Sequence, residues 1–123
     1  MSERIRRYRL ADCLQDIIDN TSSIELYVAE LDEEGLAHDR LRYDAVERCL
    51  ERICEAAHRL GDAAGTLMPD QPWQDIRSMG NRLRHAYDHI DMSIVWKVVT
   101  ERLPQPKANA AAALERLEAG GEI

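Results

Sequence analysis

The chain has 123 residues, of which 45% are hydrophobic and 32% charged, and its formal net charge is −7. That length fits one domain over 1–123, the aliphatic content excludes an intrinsically disordered chain, and the acidic balance excludes a protein that coats nucleic acid through bulk charge. No stretch reaches the roughly 18 apolar residues of a membrane span, and MSERIRRYRL opens an amphipathic pattern where a signal peptide has an uncharged core, so a cytoplasmic protein is expected.

Leu10, Leu14, Ile17, Thr21, Ile24, Val28 and Leu31 recur at spacings of three and four, which predicts one long amphipathic helix over 5–33. Gly35 is expected to end it. Asp39 stands at an N-cap position before a second stripe of Val46, Cys49, Ile53, Ala57, Leu60 and Ala64, giving a helix over 40–65. Pro69 and Pro72 punctuate the next connection, and Pro72 suits the first turn of a third helix over 72–88, where its missing N–H leaves no gap. Asp91 can cap a fourth helix that carries Ile94, Val95, Val98 and Val99 and stops by Leu103, ahead of Pro104 and Pro106. An Ala-rich helix over 108–119 follows, with a thin packing stripe of Leu114 and Leu117 and a stop at Gly120 and Gly121. No segment alternates with period two. The expected fold is therefore all-α, an antiparallel up-and-down four-helix bundle with a short C-terminal fifth helix.

The third predicted helix carries the chemistry. At about 100° per residue, Ile76, Gly80, Leu83, Tyr87 and Ile90 form its apolar stripe, while Arg77, Asn81, Arg84, His85 and Asp88 share another face. Two guanidiniums, a carboxamide, an imidazole and a carboxylate side by side suit a phosphodiester: the imidazole handles a proton near neutral pH and the guanidiniums neutralise phosphate charge. The competing reading is a solvated helix face whose charges pair weakly, at about 0.3 to 0.5 kcal/mol each. Gly80 inside a helix costs about 1 kcal/mol relative to Ala, which points to close approach of another backbone there.

The octapeptide Gly80-Asn81-Arg82-Leu83-Arg84-His85-Ala86-Tyr87, followed by His89-Ile90-Asp91, resembles the signature of HepT-like proteins in the HEPN superfamily. Trp73-Gln74-Asp75-Ile76, Asp44-Ala45-Val46-Glu47-Arg48, Glu55-Ala56 and Leu103-Pro104 extend the resemblance over most of the chain in order and spacing. The resemblance implies a helical homodimer with the motif helices facing across a composite cleft. It also implies a toxin of a type VII-like toxin-antitoxin pair that acts as a metal-independent ribonuclease on RNA and needs no cofactor. The partner it implies is a nucleotidyltransferase antitoxin of the MNT type, which transfers AMP to the motif tyrosine. By position, His85 is then the catalytic histidine, Asn81 the polar residue beside the family arginine and Tyr87 the AMP acceptor; Asp88, on the same helix face, reads as a supporting residue. Gly80 stands where the commonest form of the motif has arginine, so Arg84, on the His85 face, is the preferred substitute and Arg77 the second. The alternative is a catalytically degenerate dimer retained as a non-enzymatic partner of the nucleotidyltransferase.

Other constellations are weaker. Glu55 and His58 have the spacing of half a di-iron site with no second half, and Cys54 with His58 supplies only two ligands, so no metal site is expected and His58 reads as partly buried. Cys13, Cys49 and Cys54 lie in helical apolar patterns and read as buried free thiols. Trp73 and Trp96 sit among aliphatic residues and read as core or interface anchors.

Overall fold

The structure is a computed structural model and describes residues 3–68 and 92–120. Among these residues the chain is helical throughout, joined by short turns and without strands, as the period-3.6 patterning predicts. The long first helix, α1 (Glu3–Val28), ends five residues earlier than expected. Leu31 donates its backbone N–H to the carbonyl of Val28 at 2.9 Å and packs half-buried against the core from that turn, so the last residue of the stripe is satisfied outside the helix.

Gly35 does not terminate α1; it lies inside a short second helix, α2 (Glu33–Ala37). Its N–H donates to the carboxylate of Asp32 at 2.7 Å, so Asp32 is the N-cap and supplies one of the acceptors that a helix start lacks. Leu36, fully buried, anchors α2 to the core. The third helix, α3 (Arg40–Leu60), opens as expected: the Asp39 carboxylate accepts from the Arg42 N–H at 3.1 Å. Its buried face of Val46, Cys49, Leu50, Ile53, Ala57 and Leu60 contains the whole predicted stripe except Ala64.

Ala64 is buried too, but from a separate helix, α4 (Asp62–Leu67). Gly61 interrupts the run at φ 56° and ψ −132°, a conformation that a side chain opposes, so the chain changes direction there and resumes helical turns with Ala64 N–H donating to the Gly61 carbonyl. Beyond Met68 the next described residues form α5 (Met92–Lys97), followed without a break by one π-helical turn over Val98–Arg102. The Leu103 N–H reaches the Val98 carbonyl at 3.1 Å, one residue further back than an α-helix would use. Pro104 and Pro106 account for the widening, since neither has an N–H to give to the carbonyls four residues before it.

Those prolines begin a helix as well as ending one. The last described helix, α6 (Pro104–Ala119), starts four residues before the expected position, with Pro104 in its first turn. Its inward stripe is Pro106, Ala110 and Ala113, all buried, with Leu114 and Leu117 half-buried beside them. The expected Leu114–Leu117 stripe is thus one edge of a broader face made mostly of small residues.

Helix α1 is the centre of the described assembly and packs against both α3 and α6. Cys13 senses the charges of Glu55 and Arg59, while Ser23 and Arg48 line one groove, so α1 and α3 run antiparallel. The Lys107 ammonium meets the Glu25 carboxylate at 3.0 Å, tying the start of α6 to the end of α1. Leu14, Ile17 and Ile24 of α1, Leu50 and Ile53 of α3, Val95 of α5 and Leu103 ahead of α6 form one continuous core. Each of these larger side chains contributes about 1.5 to 3 kcal/mol by leaving water.

Candidate functional site

The residues assigned to chemistry, Arg77, Asn81, Arg84, His85, Tyr87 and Asp88, lie outside the described residues, as do the predicted third helix over 72–88 and the Asp91 cap. The structure does define the residues on either side of that segment. On the incoming side, α4 is capped by Met68, which is 2% exposed and donates its N–H to the Ala64 carbonyl at 2.9 Å. The adjoining Leu67 carbonyl accepts a hydrogen bond of 2.8 Å from the guanidinium of Arg116, on α6 and 49 residues later in the chain. On the outgoing side, Val95 and Val99 are buried, Trp96 packs half-buried against the core as expected, and α5 rests on α2. The hydroxyl of Thr100 donates to the Trp96 carbonyl at 2.7 Å, a bond back along its own helix.

Motif arithmetic does not find Arg116. Its partner is a backbone carbonyl, a group every residue carries, so no pairing of residue types announces the contact.

Between them, α1 and α3 line an open groove of about 530 Å³. It is lined by the acidic residues Asp16, Asp19, Glu51 and Glu55 and the basic residues Arg48, Arg52 and Arg59. Arg48 also pairs with Glu51 at 3.1 Å. Opposite charges in similar numbers give this groove little net field, so it lacks the one-signed potential that concentrates a polyanion.

Further along α3, burial first, then the nearby carboxylates of Glu51 and Asp44, push the Glu47 carboxyl above its ordinary pKa; a hydrogen bond from Tyr43 opposes the shift. Tyr43 is raised as well, by burial and then by the charge of Glu47. Cys13, Cys49 and Cys54 are buried thiols outside any disulfide, as their spacing indicates. Burial holds Cys13 and Cys49 above the usual thiol range, so they are protonated and poor nucleophiles at neutral pH. His58, expected to be partly buried, is exposed: in the last turn of α3 Ala57 and Leu60 take the buried face, and His58 and Arg59 are left in solvent. Among the described residues no three or more His, Cys, Asp or Glu side chains are grouped to hold a metal ion, and no helix is long and apolar enough to cross a membrane.

Comparison with known proteins sets this frame in a family. The family model described as Ribonuclease HepT-like matches residues 17–113, a span that runs from the middle of α1 to the buried face of α6 and includes the motif segment. The chain belongs to this HepT-like ribonuclease family, and the HEPN-type resemblance carried by the octapeptide is correct. It is 34% identical over 96 residues to a Thermococcus cleftensis protein named "Probable ribonuclease HepT", an alignment covering 78% of this chain and 87% of that one. Two Methanocaldococcus jannaschii proteins, named "Putative RNase MJ1380" and "Putative RNase MJ1216", are 29% and 27% identical. Those alignments cover 76% and 94% of this chain and 86% and 89% of theirs. No solved structure matches the chain.

Proposed function

We propose that this protein is the toxin subunit of a two-component toxin-antitoxin system, a homodimeric endoribonuclease that cleaves RNA without a metal ion. The observation that carries the reading is the family match across residues 17–113, which encloses the polar face of Arg77, Asn81, Arg84, His85 and Asp88. RNA brings its own nucleophile, the 2′-hydroxyl, so the protein needs only to move protons and stabilise charge. In the proposed step the 2′-oxygen forms a bond to the adjacent phosphorus as the bond to the 5′-oxygen breaks. His85 takes the proton from the 2′-hydroxyl or delivers one to the departing 5′-oxygen. Arg84, or Arg77 in its place, neutralises the charge that builds on the phosphate oxygens. Asn81 and Asp88 orient the imidazole and the backbone.

A nucleotidyltransferase antitoxin would silence this chemistry by transferring AMP to Tyr87. The added group is bulky and anionic and would sit two residues from His85, opposing an RNA phosphate by volume and charge together. Gly80, standing at the usual arginine position, favours a second reading in which the dimer binds the nucleotidyltransferase and no longer cleaves RNA.

Labelled RNA incubated in EDTA with the parent and with His85→Ala separates the two. Cleavage by the parent, lost in a folded His85→Ala variant, supports the ribonuclease; an inactive parent that still binds the nucleotidyltransferase supports the second reading. Intact-mass measurement after incubation with the cognate nucleotidyltransferase and ATP tests Tyr87. A gain of AMP that persists in Tyr87→Phe would assign the modification to another residue.

A further inference from the structure

We propose that the first two turns of α1, with the last turn of α3 beside them, form an accessory contact for the phosphate backbone of single-stranded RNA, in which Arg6, Arg9 and Arg59 bind phosphate. The proposal rests on the ribonuclease reading for its choice of polyanion and adds a binding surface apart from the motif segment. Arg6 and Arg9 also precede the matched span of 17–113.

The charge along α1 is the first observation. Residues 3–9 hold four arginines against one glutamate, while residues 10–28 of the same helix hold four carboxylates and no basic side chain. Both ends carry the wrong sign for a helix, whose N-terminus is its positive pole and favours acids and whose C-terminus favours bases. Helix stability therefore does not account for the arginines. Nor do ion pairs: Arg6 and Arg9 are exposed, and neither is in an ion pair among the described residues.

A second helix adds charge at the same place. Because α3 runs antiparallel to α1, its last turn lies beside the start of α1, and there His58 and Arg59 are both exposed. Arg59 lines the groove with Asp16 and its charge reaches the Cys13 thiol, and Arg9 stands one turn before Cys13 on α1. Asp12, Asp16 and Glu55 border the patch on the side of the helix middle, which confines the positive charge to this end. Exposed Glu30, Asp32, Glu33 and Glu34 lie past the other end of α1, a helix about 39 Å long, so several screening lengths of about 8 Å separate them from the arginines. A polyanion meeting this chain of net charge −7 is thus drawn to the arginine end and repelled by the other. Guanidiniums suit phosphate because their planar fork bonds two of its oxygens at once, and such contacts hold the RNA backbone without reading its sequence.

The test measures binding of a single-stranded 2′-O-methyl RNA, which lacks the 2′-hydroxyl nucleophile and is not cleaved, by fluorescence anisotropy over a range of salt, alongside cleavage kinetics on ordinary RNA. Arg6→Ala/Arg9→Ala is expected to weaken binding about tenfold and to flatten the slope of log affinity against log salt by about 1.4, and Arg59→Ala to flatten it by about 0.7. In cleavage, KM is expected to rise with kcat unchanged. Since Arg6 and Arg9 oppose the helix dipole, their loss is expected to leave the melting temperature unchanged or higher, where loss of a structural contact would lower it. Arg6→Lys/Arg9→Lys, which keeps the charge, is expected to recover most of the salt slope. The control Arg40→Ala/Arg42→Ala removes two charges from the opposite end of α3 and is expected to leave binding unchanged. Unaltered affinity in Arg6→Ala/Arg9→Ala would overturn the proposal, as would equal weakening by the control, which would show that only total charge matters. Arginine-dependent binding of phosphatidylserine vesicles but not of RNA would overturn it too, and give the patch to a membrane surface. A parent that cleaves RNA with a KM indifferent to these arginines would overturn the proposal and leave the ribonuclease reading in place. A parent that binds RNA through them and cleaves none would remove the ribonuclease reading and leave the contact standing.

Discussion

Thr21 shows how a residue can satisfy a pattern and still carry a cost. It holds a place in the α1 stripe between Ile17 and Ile24, is 1% exposed, and its hydroxyl has no hydrogen-bond partner among the described residues. Thr21→Val keeps the shape and removes the stranded polar group, so it is expected to stabilise the fold by about 1 kcal/mol, read as a higher urea midpoint with an unchanged slope. Glu47 makes the matching case for charge. Its raised pKa means that the folded protein holds this proton more tightly than the unfolded chain does. Its contribution is therefore most favourable below the unfolded pKa and is lost as pH rises through the higher folded value. Glu47→Gln is expected to raise the melting temperature at neutral pH and to leave it unchanged below about pH 4. Equal melting temperatures of parent and variant across that range would show that the carboxyl is already well solvated.

Among the elements, Gly61 decides where α3 stops. Gly61→Ala forces a side chain into a backbone region that only glycine occupies without strain, and is expected to cost about 1 to 3 kcal/mol, measured by urea denaturation. The stripes of α1 and α3 are legible in the sequence because aliphatic residues recurring at spacings of three and four line one side of a helix and would scatter over both faces of a strand. What a stripe does not contain is a break within it: Ala64 fits the period whether or not Gly61 redirects the chain, and Leu31 reaches the core from a turn as well as from a helix. The true start of α6 is hidden for a related reason. Pro106, Ala110 and Ala113 do not look like a hydrophobic stripe, yet small residues make a buried face where two helices approach closely, and Pro104 favours a helix start as much as a stop. The residues grouped around His85 can be put together from the sequence because they are local in it, and they lie outside the described residues. Arg116 cannot be found in this way, because a side chain bonded to a carbonyl 49 residues away leaves no trace in composition or spacing.

At the scale of the whole molecule, a net charge of −7 and a groove of mixed sign leave little long-range attraction for RNA. In the proposed function, binding would then rest on a few guanidiniums, and the proposed dimer would double their number. Light scattering is expected to give about twice the 14.1 kDa chain mass at micromolar concentration. A species of single-chain mass that cleaves RNA at full rate would show that one copy suffices.

The pairing of α6 with α1 and α4 also sets an order in time. During synthesis α1, α3 and the segment bearing His85 leave the ribosome before α6, and the ion pair that seats α6 spans 82 residues of sequence. At roughly 5 to 20 residues per second, several seconds separate the appearance of Leu67 from that of the guanidinium that holds it. A nascent chain in that interval has α4 without the guanidinium that meets its last carbonyl. Helix α4 is therefore expected to settle into its native seat only after α6 has been made.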